Sequence, residues 1–114
     1  MEFVKSVCVT PDGLHVVTGS SDSTAFVWRL ADGAHVRTLK GHTAIVNSVC
    51  VTPDGRHVVT GSWDNTARVW LLADGSHMRT QEGHTEFVMS VCVTPDGQRV
   101  VTGSMDNTAR VCLL

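Results

Sequence analysis

Ser48-Val49-Cys50-Val51-Thr52-Pro53-Asp54-Gly55 decides the reading of this chain, because the same eight residues stand at 6–13 and again at 90–97. Both offsets are 42 residues. Aligning 43–72 on 85–114 without a gap gives 23 identities in 30 positions, so the chain is nearly three copies of one unit, with no linker or insertion. A repeat of this length is a unit of architecture, and its local pattern says of which kind.

Within the unit the pattern is that of strands. Val46-Asn47-Ser48-Val49-Cys50-Val51-Thr52 is short and rich in β-branched residues, and it ends at Pro53-Asp54-Gly55. There Pro fixes φ and Gly accepts a positive one, which is turn chemistry. A second strand is expected over 57–62 and a tight turn at Trp63-Asp64-Asn65, where Asp and Asn tolerate left-handed backbone. A third strand follows over 66–72, closed by Ala73-Asp74-Gly75, and a shorter, more polar fourth over 77–81, ended by Gly83. Eleven strands are expected in groups of four, four and three, all antiparallel, and Gly, Pro and β-branched residues in every ten-residue window exclude helix.

Length and composition bound what such a chain can do. At 114 residues and 12.3 kDa there is room for one small domain. Nine basic against eleven acidic residues, with a pI near 6.3, argue against the basic face of a nucleic-acid or anionic-membrane binder. The apolar runs are a few residues long, too short to span a bilayer. Met1-Glu2-Phe3-Val4-Lys5 has neither the apolar core nor the cleavage site of a signal peptide, and a cytoplasmic setting is expected.

A four-stranded unit cannot bury both of its faces alone, whereas stacked neighbours bury them. Val49, Val51, Val58 and Val59 make both faces of the first two strands apolar, as in a sheet sandwiched between two others. The radial arrangement of such sheets is a β-propeller, with four strands to a blade. Blades are expected at 1–40, 41–82 and 83–114, the last without its fourth strand.

Gly41-His42, then Ser62-x-Asp64, then Trp70 at 28 residues after His42, resemble the landmarks of the WD-40 repeat family. The likeness covers essentially the whole chain, with three copies in phase. It departs at Trp70-Leu71, where the family usually has Trp-Asp. The resemblance implies a buried hydrogen-bonded tetrad in each blade: His42, Thr60 (with Ser62 as the alternative), Asp64 and Trp70 in the middle one. Carried over, blade one has Thr18, Asp22 and Trp28 without a Gly-His, and blade three has His84, Thr102 and Asp106 with Cys112 in place of Trp. Rings of this family mostly have seven blades and the architecture needs about four. This span therefore reads as blades of a longer protein or as chains that associate into a ring.

Ser, His and Asp within one unit suggest a nucleophilic triad, but a catalytic site is built once and this constellation recurs. No enzyme is expected. Cys8, Cys50 and Cys92 share one repeat position, form no Cys-x-x-Cys pair, and read with Cys112 as small buried apolar residues in a reducing compartment, without metal or disulfide. His15 with His57, and His35 with His77, read as rim or outer-edge residues, and Arg68 and Arg110 as surface strand residues. No Gly-rich phosphate loop is present, so no cofactor is expected.

The differences between copies are the remaining signal. Ala44/Glu86, Ile45/Phe87, Asn47/Met89 and Trp63/Met105 cluster at the start of the first strand and the turn before Asp, and the first copy has Phe3, Lys5 and Ser21 at the last three of these positions. By resemblance these positions form the top face around a central channel. A frame held constant under varied, partly apolar presented positions is the pattern of a scaffold displaying a surface. The expected function is non-catalytic binding of a protein or peptide through Phe3, Lys5, Ser21, Ile45, Asn47, Trp63, Glu86, Phe87, Met89 and Met105, with Trp63 as the leading hot spot and packing against the neighbouring blade as its alternative role. The alternative is a self-assembling unit whose chains complete a ring through sticky blade flanks.

Overall fold

The computed structural model describes residues 3–114; Met1 and Glu2, within the expected first blade, lie outside the described residues. Eleven strands follow in order: β1 (Val4–Val9), β2 (His15–Ser20), β3 (Ala25–Arg29), β4 (His35–Leu39), β5 (Val46–Val51), β6 (His57–Ser62), β7 (Ala67–Leu71), β8 (His77–Gln81), β9 (Val88–Val93), β10 (Arg99–Ser104) and β11 (Ala109–Leu113). Among the described residues there is no helix. The strands pair as antiparallel meanders in three sheets, β1-β2-β3-β4, β5-β6-β7-β8 and β9-β10-β11, which do not close on themselves. Extents of 40 × 37 × 19 Å describe a slab about as thick as one six-residue strand is long.

The turns explain the meander. Gly13, Gly55 and Gly97 each take φ 73°, the conformation that the turn after Pro-Asp demands. At the middle one the Thr52 hydroxyl donates to Asp54 Oδ1 at 2.6 Å and accepts the His57 amide at 3.1 Å, closing the loop between β5 and β6. At the other end of the same sheet Asn65 stands at φ 72°, and Ser23 and Asn107 do the same in the flanking sheets. Asp and Asn there replace lost ladder bonds with local ones.

The sheets stack face to face through their first two strands, and that contact holds the core. Val17, Ala25, Val27 and Leu39 of the first sheet meet Val46, Val49, Val51, Val58 and Trp70 of the second. Val59, Ala67 and Val69 of the second meet Val88, Val91 and Val100 of the third. Close approach depends on glycine. A methyl group placed on Gly61 would stand 2.8 Å from Val91 Cγ1 and 2.9 Å from Val88 Cγ1, and one on Gly19 would stand 2.9 Å from Val46 Cγ1. The expected sandwich is therefore realised in the middle sheet, whose β6 is buried almost throughout, while β1 and β11 each leave a face exposed.

The cysteines are a correction. None is fully buried: Cys8, Cys50 and Cys112 are half-buried and Cys92 is exposed. Cys8 and Cys50 each pack against the core shared with the following sheet. Cys92 occupies the same register position on the last sheet, where no following sheet covers it. Burial pushes the Cys50 thiol up from its ordinary value. Among the described residues all four are free thiols and no group of side chains could hold a metal ion.

Candidate binding rim and its supporting network

Each blade turns at the rim between its second and third strands, and a relay of polar side chains fixes that turn. In the middle sheet the Trp70 indole N–H donates to Thr60 Oγ1 at 2.9 Å. Thr60 Oγ1 lies 2.6 Å from His42 Nε2, and His42 Nδ1 lies 2.7 Å from Asp64 Oδ2. With Asp64 ionised, one assignment satisfies every atom: Thr60 O–H donates to Nε2 and Nδ1–H donates to the carboxylate. Asp64 also accepts the Thr43 amide at 3.2 Å and the Thr66 amide at 2.9 Å, which ties the segment before β5 to the turn. Burial pushes the Asp64 carboxyl up, and the bonds from His42 and Thr66 outweigh it, holding the group well below the usual carboxylate range. Ser62, the alternative to Thr60, instead donates to the Ala44 carbonyl and accepts the Asp64 amide.

The flanking sheets hold partial versions. In the third, His84 Nδ1 is 2.9 Å from Asp106 Oδ2 and Nε2 is 2.8 Å from Thr102 Oγ1, with Cys112 at the Trp position. In the first, Trp28 donates to Thr18 at 2.9 Å, while Asp22 is exposed and, among the described residues, bonded within its own turn, to Thr24 and Ser20. His77 and His35, read from sequence as outer-edge residues, cover these indoles: their rings lie 5.3 Å from Trp70 and 5.4 Å from Trp28. Arg68 is likewise more than a surface residue, with its guanidinium 6.0 Å from the Trp70 ring.

Above this network the varied positions meet. The Trp63 amide donates to the Ile45 carbonyl at 2.9 Å, the Met105 amide to Phe87 at 3.0 Å, and the Ser21 amide to Phe3 at 2.9 Å, so the two variable segments of each blade are neighbours. A β-bulge interrupts the pairing between Val4 and Ser6, between Val46 and Ser48, and opposite Gly103 and Ser104. The unpaired residues are Lys5, Asn47 and Met89, which the bulge re-aims away from the sheet faces. Asn47 Nδ2 donates to the Met89 carbonyl on the next sheet at 3.0 Å.

Trp63 crosses to the next blade and stacks on Phe87, with centroids 4.7 Å apart and planes within 4°. Lys5 Nζ sits 5.9 Å from both the Phe3 and the Trp63 rings. Phe3, Lys5, Glu86, Met89 and Met105 are exposed, while Ser21, Ile45, Asn47, Trp63 and Phe87 are half-buried. The Trp63 Nε1 is shielded and has no hydrogen-bond partner among the described residues. Packing between blades and display at the rim are thus combined in one indole. At the opposite end a groove of about 490 Å³ lies between the first two sheets, lined by Asp12, His15, Arg56 and Leu72 among others; nothing in the repeat marks it in sequence, because two sheets build it together.

The chain is 46% identical over 44 residues to the ribosome biogenesis protein BOP1 homolog of Drosophila grimshawi, a match covering 39% of this chain and 6% of that protein. The chain thus spans a small part of the length of that relative. The sequence pattern of the WD domain, G-beta repeat family matches at residues 2–29, 33–70 and 75–112. Each match ends on the strand that carries Trp28, Trp70 or Cys112, in sheets whose turns are fixed by the relay described above. With three matches over nearly its whole length, the chain belongs to the WD domain, G-beta repeat (WD40) family.

Proposed function

We propose that this chain is a non-catalytic scaffold segment that binds a protein or peptide on the rim built by Phe3, Lys5, Ile45, Trp63, Phe87, Met89 and Met105. WD40 repeats indicate protein interaction in general. The observation that carries the finer reading is the Trp63–Phe87 stack with Lys5 beside it: three residues from three different sheets form one flat apolar strip with a cation at its edge. Such strips, rimmed by polar groups such as Glu86 and Asn47, mark interaction sites, and Trp at the centre of a patch is the usual energetic anchor. The His–Asp–Thr relay supports no catalysis in this reading, because its atoms are consumed by one another. The 44-residue match is about one repeat, so what the BOP1 homolog does is not carried over. Four free thiols favour a reducing, intracellular setting.

The test is an array of random twelve-residue peptides probed with wild type and variants. Trp63→Ala is expected to weaken retained peptides tenfold or more, about 1.4 kcal/mol. Met78→Ala, an exposed apolar residue on β8 away from the rim, is expected to leave them unchanged. Equal retention by wild type and Trp63→Ala would sink the reading.

A further inference from the structure

We propose that the two end faces of this molecule are the matching halves of one interface, and that a second copy of the chain docks head to tail, its first sheet on the third sheet of its neighbour. The inference stands apart from the rim. It rests on an interface that the molecule already builds twice.

At each internal contact a pair of valines enters the space above a strand glycine. Val46 and Val49 cover Gly19, and Val88 and Val91 cover Gly61. Two bonds accompany them: the Val49 amide donates to Ser6 Oγ at 3.3 Å and the Val91 amide to Ser48 Oγ at 3.2 Å. The 42-residue repeat carries every one of these residues one step further in both directions. Val4 and Val7 stand where Val46 and Val49 do, and Gly103 and Ser90 stand where Gly61 and Ser48 do.

Among the described residues these outlying halves have no mate. Val46 and Val88 are 0% exposed and Val49 and Val91 7%, whereas Val4 and Val7 are each 63% exposed. A methyl group on Gly103 would meet nothing within 4 Å. Val27 and Val69 are 1% exposed, and their counterpart Val111 is 61% exposed. The projecting valines lie on the first sheet and the vacant glycine on the last, so each end complements the other and not itself. A contact of this kind is heterologous: it propagates from chain to chain and ends either in a ring or in an open array. The occupant is a second copy because its first sheet supplies the same valines and the Val7 amide at the same register as the interfaces already filled.

The test is absolute mass by light scattering after size-exclusion chromatography, for wild type, Val7→Asp and Gly103→Val, with circular dichroism to verify β structure. Both substituted positions are open in the single chain, so both variants are expected to fold. Wild type is expected to run as a species of two or more chains and each variant alone as a single chain. An equimolar mixture of the variants is expected to give a one-to-one dimer, because Val7→Asp keeps a sound Gly103 end and Gly103→Val keeps a sound Val7 end. A wild type of single-chain mass would overturn the proposal. So would assembly that survives both substitutions, or folded variants that fail to pair when mixed.

Discussion

His42 has two ring nitrogens and spends both on fixing a turn. Removing it leaves Asp64 Oδ2 with one backbone donor and Thr60 without its acceptor, and leaving a buried carboxylate short of a hydrogen-bond donor is costly. His42→Ala is expected to destabilise the fold by about 2–3 kcal/mol in urea titration, whereas the exposed His35→Ala, outside any relay, loses much less. The same geometry sets an acid limit. Asp64 is held well below its ordinary range in the fold, while an unfolded Asp titrates near about 3.9. The contribution of the carboxylate is therefore complete above about pH 4 and declines as the pH falls below it. Asp64→Asn is expected to be less stable than wild type at pH 7, with the difference shrinking toward pH 2. A difference that stayed constant over that range would show that Asp64 titrates normally.

At the scale of the strand, the residues that matter most are the ones with least side chain. Gly61 lies under Val88 and Val91, so Gly61→Val must push β9 away and is expected to cost about 1–3 kcal/mol or more in thermal or urea unfolding. The strands themselves were readable from sequence: Pro-Asp-Gly and Asp-Asn turns bracket β-branched runs, and the observed β6 and β8 cover the expected 57–62 and 77–81. The Thr60, Asp64 and Trp70 positions were readable only through the family resemblance. The bulge at Asn47 was not readable, because a period-two pattern shows the same residues whether or not one of them is squeezed out of the ladder. Packing of Trp63 on the neighbouring blade was open as an alternative, but its partner Phe87 was not readable, because the two residues are 24 apart on neighbouring sheets and need the blade-to-blade rotation to bring them together. Cys92 misled for a related reason: Cys8 and Cys50 are half-buried against the following sheet, and Cys92, at the same repeat position on the last sheet, is exposed.

In the molecule as a whole, protection is graded from the middle outward. β6 packs on both sides, through Val58 against the first sheet and Val59 against the third, β2 packs on one, and β11 carries exposed residues at four of five positions. Local opening follows buried contact. In the single-chain Gly103→Val variant, amide hydrogen exchange is expected to be slowest in β6 and β7 and fastest in β11. Uniform rates across the three sheets would show that they open as a single unit. The compact slab is then a stack with one firm layer and two looser ones.

The constancy of the valine–glycine mesh from one 42-residue step to the next has a consequence for the gene as well as the protein. Unequal crossing-over between copies deletes or duplicates whole steps, and because every step begins and ends in the same register, such an event joins a valine pair to a glycine as before. A lineage carrying this repeat can therefore change its copy number in a single recombination without passing through a misfitted intermediate, while the bulge residues, free of that mesh, drift or adapt copy by copy.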